Sequence, residues 1–149
     1  MANAISLPFK KGSFDTVLFL NALHHLAVPR IDQTYLNAQV AIHQISLVLK
    51  SNGVFLLSDD CPSWLVWRCY SFLYEPMAVI WNVFGKPLPY FFPVHQEINF
   101  LKENGFLIEE IKEIPWGKRV YLPIFPSFSP PGWLLGIFWR FRLFVAKRR

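Results

Sequence analysis

A nearly unbroken apolar run from Phe14 to Leu20 constrains this chain more than any other stretch. A strand with so few polar positions must be buried on both faces, as in a parallel sheet covered by helices. The run is followed directly by Asn21, Leu23, His24 and His25. We therefore expect these four residues at the carboxyl edge of a sheet, where open α/β folds bind their ligands.

The residues after this edge predict a helix and then a second strand. Apolar residues recur at helical spacing from Leu36 to Leu49, with Asp32 or Thr34 as the N-cap and Asn52-Gly53 as the stop. Val54 to Ser58 then forms a short apolar strand. Strand, helix and strand in this order are the repeating unit of an α/β fold, with a right-handed crossover.

A further helix, later in the chain, has the clearest start and stop signals in the sequence. It runs from His95 to Asn104, with the acidic Glu97 in its first turn and Gly105-Phe106 at its end. Two strands are predicted after it, Leu107–Ile114 and Lys118–Phe125, joined by a Pro-Trp-Gly turn. They should form an antiparallel hairpin.

Several of these motifs follow one another in a familiar order. The chain has LPF at 7–9, SFD at 13–15, HHL at 24–26 and the Gly105-Phe106 pair after a helix. It resembles the C-terminal half of class I S-adenosylmethionine-dependent methyltransferases of the type 11-like group, over residues 3 to about 125. The resemblance implies a partial Rossmann-like sheet with a C-terminal antiparallel hairpin, a helical insert and a basic aromatic tail.

The resemblance also implies a division of the chain. Residues 1–126 would form a partial methyltransferase domain in which residues 63–94 are a helical, lid-like insert. Residues 127–149 would form a linker and the basic aromatic tail. None of the seven glycines forms the glycine-rich turn that holds the cofactor in this family, so we expect the N-terminal glycine-rich half to be missing and the fragment to be impaired or inactive alone.

By resemblance, the cofactor is S-adenosylmethionine and some of its contacts can be assigned. The residues predicted to bind it are Asn3, Ala4, Ile5, Asn21 and Leu23. A frayed N-terminus without ligand is the alternative for the first three. His24 or His25 would be the catalytic base, because histidine accepts protons near neutral pH. The alternative for these histidines is helix capping or packing.

The aromatic stretch from Trp64 to Phe84 indicates the kind of acceptor. Two charges and Pro76 make it a poor membrane span. As a lid over the acceptor site it favours a small hydrophobic acceptor, such as a quinone, polyprenyl or fatty chain. A plain packed helix pair explains the same residues. The expected function is methyl transfer to such an acceptor, and the alternative is a non-catalytic binding or membrane-peripheral protein that retains half of the fold.

The positive charge is concentrated at the C-terminus. The chain has a formal net charge of +5, and five bases with no acid lie in Trp133–Arg149. A nucleic-acid groove is not expected, because the remaining residues have equal numbers of acids and bases. The tail could be a strand or an interfacial helix, and its charge suits contact with an anionic membrane. The alternative is a tail that its charges merely keep in solution.

Cysteine content and the N-terminus bear on location and assembly. Cys61 and Cys69 fit a reduced compartment, and no metal-ligand spacing is present, so no metal site is expected. The first eleven residues lack the apolar run of a signal peptide, which predicts a cytoplasmic location. Peripheral contact with a membrane through the tail is the further expectation. The strand from Phe14 to Leu20 should have an exposed edge that pairs with a partner chain or with another copy.

Overall fold

The computed structural model describes residues 3–85, 87–114 and 138–149. The elements in chain order are β1 (Phe14–Leu20), a short 3-10 helix (Leu23–Leu26), α1 (Ile31–Val48), β2 (Leu49–Pro62), α2 (Trp64–Val83), α3 (Val94–Glu103), β3 (Phe106–Ile114) and β4 (Trp139–Arg148). The predicted strand Lys118–Phe125 lies outside the described residues.

The four strands form one sheet in the order β1-β2-β4-β3. Strands β1 and β2 are parallel and are connected through α1, as the strand–helix–strand pattern predicts. Strand β4 is antiparallel to both of its neighbours, β2 and β3. The α/β fold class, with antiparallel strands at its C-terminal side, is confirmed.

The tail has a larger role in the sheet than the sequence indicates. The sequence left open whether the tail is a strand or an interfacial helix. It forms a strand, β4, which lies between β2 and β3. The partner that the structure gives β3 is therefore β4, whereas the sequence predicts Lys118–Phe125 as its partner. Phe144 and Ala146 of β4 are fully buried, which places the end of the chain in the hydrophobic core.

The ends of α1 differ from the prediction. The N-cap is Arg30, without a side-chain hydrogen bond, and neither Asp32 nor Thr34 takes that position. The Thr34 hydroxyl instead accepts a hydrogen bond from the Val28 amide. At the other end the chain passes directly into β2, so Asn52-Gly53 is not the helix stop.

Asn52-Gly53 lies inside β2, where the register with β1 shifts. Asn52 has a φ of 64°, a conformation that asparagine tolerates better than most residues. A Cβ on Gly53 would lie 2.9 Å from the carbonyl oxygen of Lys50 and 3.2 Å from that of Asp15. The pair therefore forms a bulge that only a residue without a side chain allows at this point.

The core lies on one face of the sheet. Phe55, Leu57 and Phe144 of the sheet pack there with buried residues of α1, α2 and α3. Leu18 and Leu20 of β1 do not join this core and are exposed to solvent, by 59% and 52%. No helix in the described part of the chain is long and apolar enough to cross a membrane.

A truncation of Phe144 tests whether the C-terminal strand is part of the core. We expect Phe144→Ala to lower the free energy of unfolding by about 3–5 kcal/mol, because it removes a fully buried ring. Urea unfolding followed by circular dichroism measures the change. The matched control is Phe72→Ala, because Phe72 is 85% exposed and should change stability little. Equal effects of the two variants would contradict the position of β4.

Candidate functional site

The candidate site is built where β1 and β2 end. Asn21 follows β1 with a φ of 52°, and its amide donates to the Ser58 carbonyl at 2.7 Å. This left-handed turn redirects the chain into the 3-10 helix Leu23–Leu26. Asp59 and Asp60 lie near the end of the neighbouring strand β2. The carboxyl edge therefore brings the predicted histidines beside two carboxylates.

His24 and Asp59 form a buried pair. His24 Nδ1 lies 2.5 Å from Asp59 Oδ1, and the His24 backbone amide donates to Asp59 Oδ2 at 3.1 Å. The Asp60 amide donates to Asp59 Oδ1 at 2.8 Å. Three donors offset the cost of burying the carboxylate, and they fix the imidazole with Nε2 as its available nitrogen. Such a pair can hold a histidine in position to accept a proton.

The two histidines point to different surroundings. His24 is buried, whereas His25 is exposed. Partial burial and the neighbouring His24 lower the pKa of His25, while Asp59 acts in the opposite direction. Of the two histidines, His24 is the one that the structure pairs with a carboxylate.

The predicted cofactor residues lie at two places. Asn3, Ala4 and Ile5 form a turn in which the Asn3 side-chain oxygen accepts from the Ile5 amide at 3.2 Å. Asn21 is exposed beyond β1, and Leu23 is fully buried in the core. The Leu23 side chain therefore stabilises the edge of the sheet, and only the backbone of this residue could face a ligand.

Two further ionisable residues near the His24–Asp59 pair, Glu97 and Cys61, were not assigned to the site from the sequence. Glu97, which the sequence predicts in the first turn of α3, is fully buried, and its Oε1 has no hydrogen-bond partner among the described residues. Burial and Asp59 raise the pKa of Glu97 well above its usual range. Cys61 Sγ donates to Glu97 Oε2 at 3.6 Å, and burial raises the pKa of this thiol. The available signal was the spacing of Glu97 from the apolar Phe100 and Leu101, which share its buried face.

The insert is anchored against the same edge. The Tyr90 amide donates to the His24 carbonyl at 3.2 Å, and Trp67 Nε1 donates to the Tyr90 hydroxyl at 3.1 Å. The hydroxyl of the buried Tyr74 lies within hydrogen-bond distance of two carbonyl oxygens, those of Val28 and Leu88. These contacts hold α2 and the segment after it beside the His24–Asp59 pair.

A cavity of about 320 Å³ lies beyond the end of β2, between the starts of α2 and α3. Its lining combines apolar rings and side chains with one cation, and consists of Pro62, Ser63, Trp64, Pro93, Val94, His95, Ile98 and Arg142. The volume is at the lower end of the range of small-molecule sites, about 300–1,000 Å³.

Comparisons with known proteins bear on the fold of this chain. Residues 1–57 match the family model of the methyltransferase domain. An S-adenosylmethionine-dependent methyltransferase from Methanosarcina mazei superposes with a TM-score of 0.62 and 15% identity, over 98% of this chain and 64% of that one. This chain has the methyltransferase fold. The resemblance seen in the sequence is thereby confirmed.

Other solved structures show how much of the fold is present. Geranyl diphosphate C-methyltransferase from Streptomyces coelicolor A3(2), solved with S-adenosyl-L-homocysteine, has a TM-score of 0.60 and 12% identity, over 100% of this chain and 51% of that one. The cyclase SpnF has a TM-score of 0.60 and 13% identity, over 99% of this chain and 54% of that one. The chain therefore spans about half to two thirds of these proteins. No curated protein matches its sequence.

Asp60 provides a pH test of the electrostatics at this edge. Burial and the neighbouring Asp59 raise the pKa of Asp60 from 3.8 to about 6, and His24 opposes them. Between these two values the folded chain binds more protons than the unfolded chain, so this carboxyl makes stability fall as the pH rises.

We therefore expect Asp60→Asn to gain stability relative to the unmodified chain by about 1–2 kcal/mol on going from pH 4 to pH 7, after a discount for partial exposure. Urea unfolding at the two pH values measures the gain. Asp15→Asn is the control, because the Asp15 side chain is 81% exposed. A pH-independent difference for Asp60→Asn would refute the assignment.

Proposed function

We propose that this chain supplies the acceptor side of an S-adenosylmethionine-dependent methyl transfer, with His24 as the general base and Asp59 as its positioning residue. The observation that carries the proposal is the buried His24–Asp59 pair at the carboxyl edge of a methyltransferase-type sheet. The cyclase among the similar structures has the same fold, so the fold alone does not define the reaction.

The chemistry of the pair fits this role. When bound, S-adenosylmethionine supplies an electrophilic methyl group on a sulfonium. Transfer of this methyl group would break its bond to sulfur, with S-adenosylhomocysteine as the leaving group. His24 Nε2 would accept the proton that the acceptor atom loses. Asp59 holds the Nδ1 proton and stabilises the imidazolium that forms.

The cofactor would contact this chain mainly at its adenine end. Asn21 and the Asn3-Ala4-Ile5 turn offer amide and backbone groups that suit an adenine ring. The seven glycines include no glycine-rich turn for the rest of the cofactor. This set therefore fits one end of S-adenosylmethionine, and we expect weak binding by the 149-residue chain.

We propose a small, hydrophobic acceptor. Its support is the anchored aromatic insert beside His24 and the partly apolar cavity at the start of α2. One structurally similar protein was solved with geranyl diphosphate, which has such an apolar chain. We also propose a lid role for residues 63–94, a cytoplasmic location and peripheral membrane contact.

Substitution of each histidine tests the base. We expect His24→Gln to lower the rate of methyl transfer by about 10²-fold or more, because the proton acceptor is lost. Transfer of tritiated methyl groups from S-adenosylmethionine into an organic-phase lipid extract measures the rate. His25→Gln is the matched control and should retain the rate within a few-fold.

Calorimetry with S-adenosylhomocysteine completes this test. His24→Gln should leave weak binding unchanged, because we assign the proton and not the cofactor to His24. Equal rates for the two histidine variants would refute the role of His24. A chain with neither binding nor transfer would instead be the non-catalytic alternative.

We also propose that β1 pairs with a further chain, in the simplest case a second copy. Strand β1 is at the edge of the described sheet, and Leu18 and Leu20 are exposed beside that edge. The 149-residue chain should sediment as a species larger than its 17.4 kDa mass in analytical ultracentrifugation.

Leu18→Lys should shift this species towards the monomer, because a lysine opposes pairing at a strand edge. Leu36→Lys is the control, since Leu36 is 50% exposed on α1. A monomeric unmodified chain, or equal effects of the two lysines, would contradict the proposal.

A further inference from the structure

The cavity at the starts of α2 and α3 combines an apolar wall with a cation. Trp64, Val94 and Ile98 supply apolar surface, and the partly buried Arg142 supplies a guanidinium from β4. A guanidinium in such surroundings needs an acceptor, because a partly desolvated charge is costly without a partner.

The other basic residues of β4 show how this cation differs. Arg140 pairs with Glu113 at 3.1 Å, and Lys147 pairs with Glu109 at 3.2 Å. Arg148 donates to the Leu49 carbonyl. Arg142 forms no ion pair with an acid in the ranges that the structure describes, although Glu113 is its register partner on β3.

Two acids near Arg142, Asp59 and Glu97, form no ion pair with it. Asp59 is its register partner on β2, but both oxygens of Asp59 accept hydrogen bonds from His24, and one also accepts from the Asp60 amide. Glu97 is fully buried, and its Oε2 accepts a hydrogen bond from Cys61. Since neither acid forms an ion pair with Arg142, the guanidinium is available to bind an anionic ligand.

The backbone around the cavity also carries partial positive charge, as Arg142 carries a full one. Helices α2 and α3 begin at the cavity, after Ser63 and Pro93, and neither has a side-chain cap. The first amides of a helix carry partial positive charge. This supports the charge of Arg142 and does not define a site by itself.

We propose that this cavity binds the anionic group, a carboxylate or a phosphate, of a ligand whose remainder is an apolar chain. Arg142 would hold the anion, and Trp64, Val94 and Ile98 would contact the first carbons of the chain. The identification of this ligand with the acceptor rests on the proposed function. The binding itself requires neither cofactor nor methyl transfer.

Binding of simple amphiphiles to the 149-residue chain tests the inference. The probes are octanoate, octyl phosphate, octan-1-ol and octyltrimethylammonium, below their micelle concentrations, measured by calorimetry and by tryptophan fluorescence. At least one of the two anions should bind ten-fold or more tightly than the alcohol and the cation. Octanoate and octyl phosphate together distinguish a carboxylate site from a phosphate site.

Variants locate the binding. Arg142→Gln should lower the affinity for the anions ten-fold or more and leave the affinity for the alcohol unchanged. Arg142→Lys should retain part of the preference for anions. Arg140→Gln is the matched control, a neutralised arginine two residues away on the same strand, and should change binding less than two-fold. Ile98→Trp should block the anions by filling the cavity.

Three results would overturn the inference. They are equal affinity for the anions and the alcohol, equal effects of Arg142→Gln and Arg140→Gln, and undiminished anion binding by Ile98→Trp.

The far-ultraviolet circular dichroism of each variant is compared with that of the unmodified chain, and Arg142→Lys provides the arginine test if Arg142→Gln does not fold. Loss of methyl transfer with intact anion binding would refute the proposed function alone.

Discussion

The pairing of β2 with β4 is the interaction on which the rest of this structure depends. Strand β2 carries the buried Phe55 and Leu57 into the core and places Asp59 at the carboxyl edge. Strand β4 pairs with β2 from Val54 to Pro62, and it also joins β3 to the sheet. Because β4 is antiparallel, its start, with Arg142, lies near the end of β2, beside Asp59 and the cavity. One backbone pairing therefore holds both the proposed base and the proposed anion site.

Much of the fold could be predicted because its signals are local. The apolar run of β1, the helical spacing of α1 and the Gly105 stop of α3 each act within a few residues, and Gly105 has the expected positive φ of 80°. The position of β4 depends instead on contacts with distant segments. Its alternation of arginine and apolar residues fits a strand or an interfacial helix equally, until β2 and β3 provide partners.

The candidate site was predictable only in part. The carboxyl edge and the histidines follow from the order of the elements, but the choice between His24 and His25 needs the position of Asp59. Glu97 shows the limit more clearly, because a carboxylate in a first helical turn ordinarily lies in water. Packing against Cys61 and the core makes it a buried acid, which local sequence rules do not contain.

The position of β4 also has a consequence for synthesis on the ribosome. The chain emerges from its N-terminus, so β1, α1 and β2 are complete long before the strand that pairs with β2 on its other side. Until β4 emerges, β2 has one open edge and its core residues lack Phe144 and Ala146. Early folding should therefore stop at a partial sheet that exposes apolar surface and is prone to aggregation. A chaperone that binds extended apolar segments would have its best opportunity during this interval, and the emergence of β4 would end it.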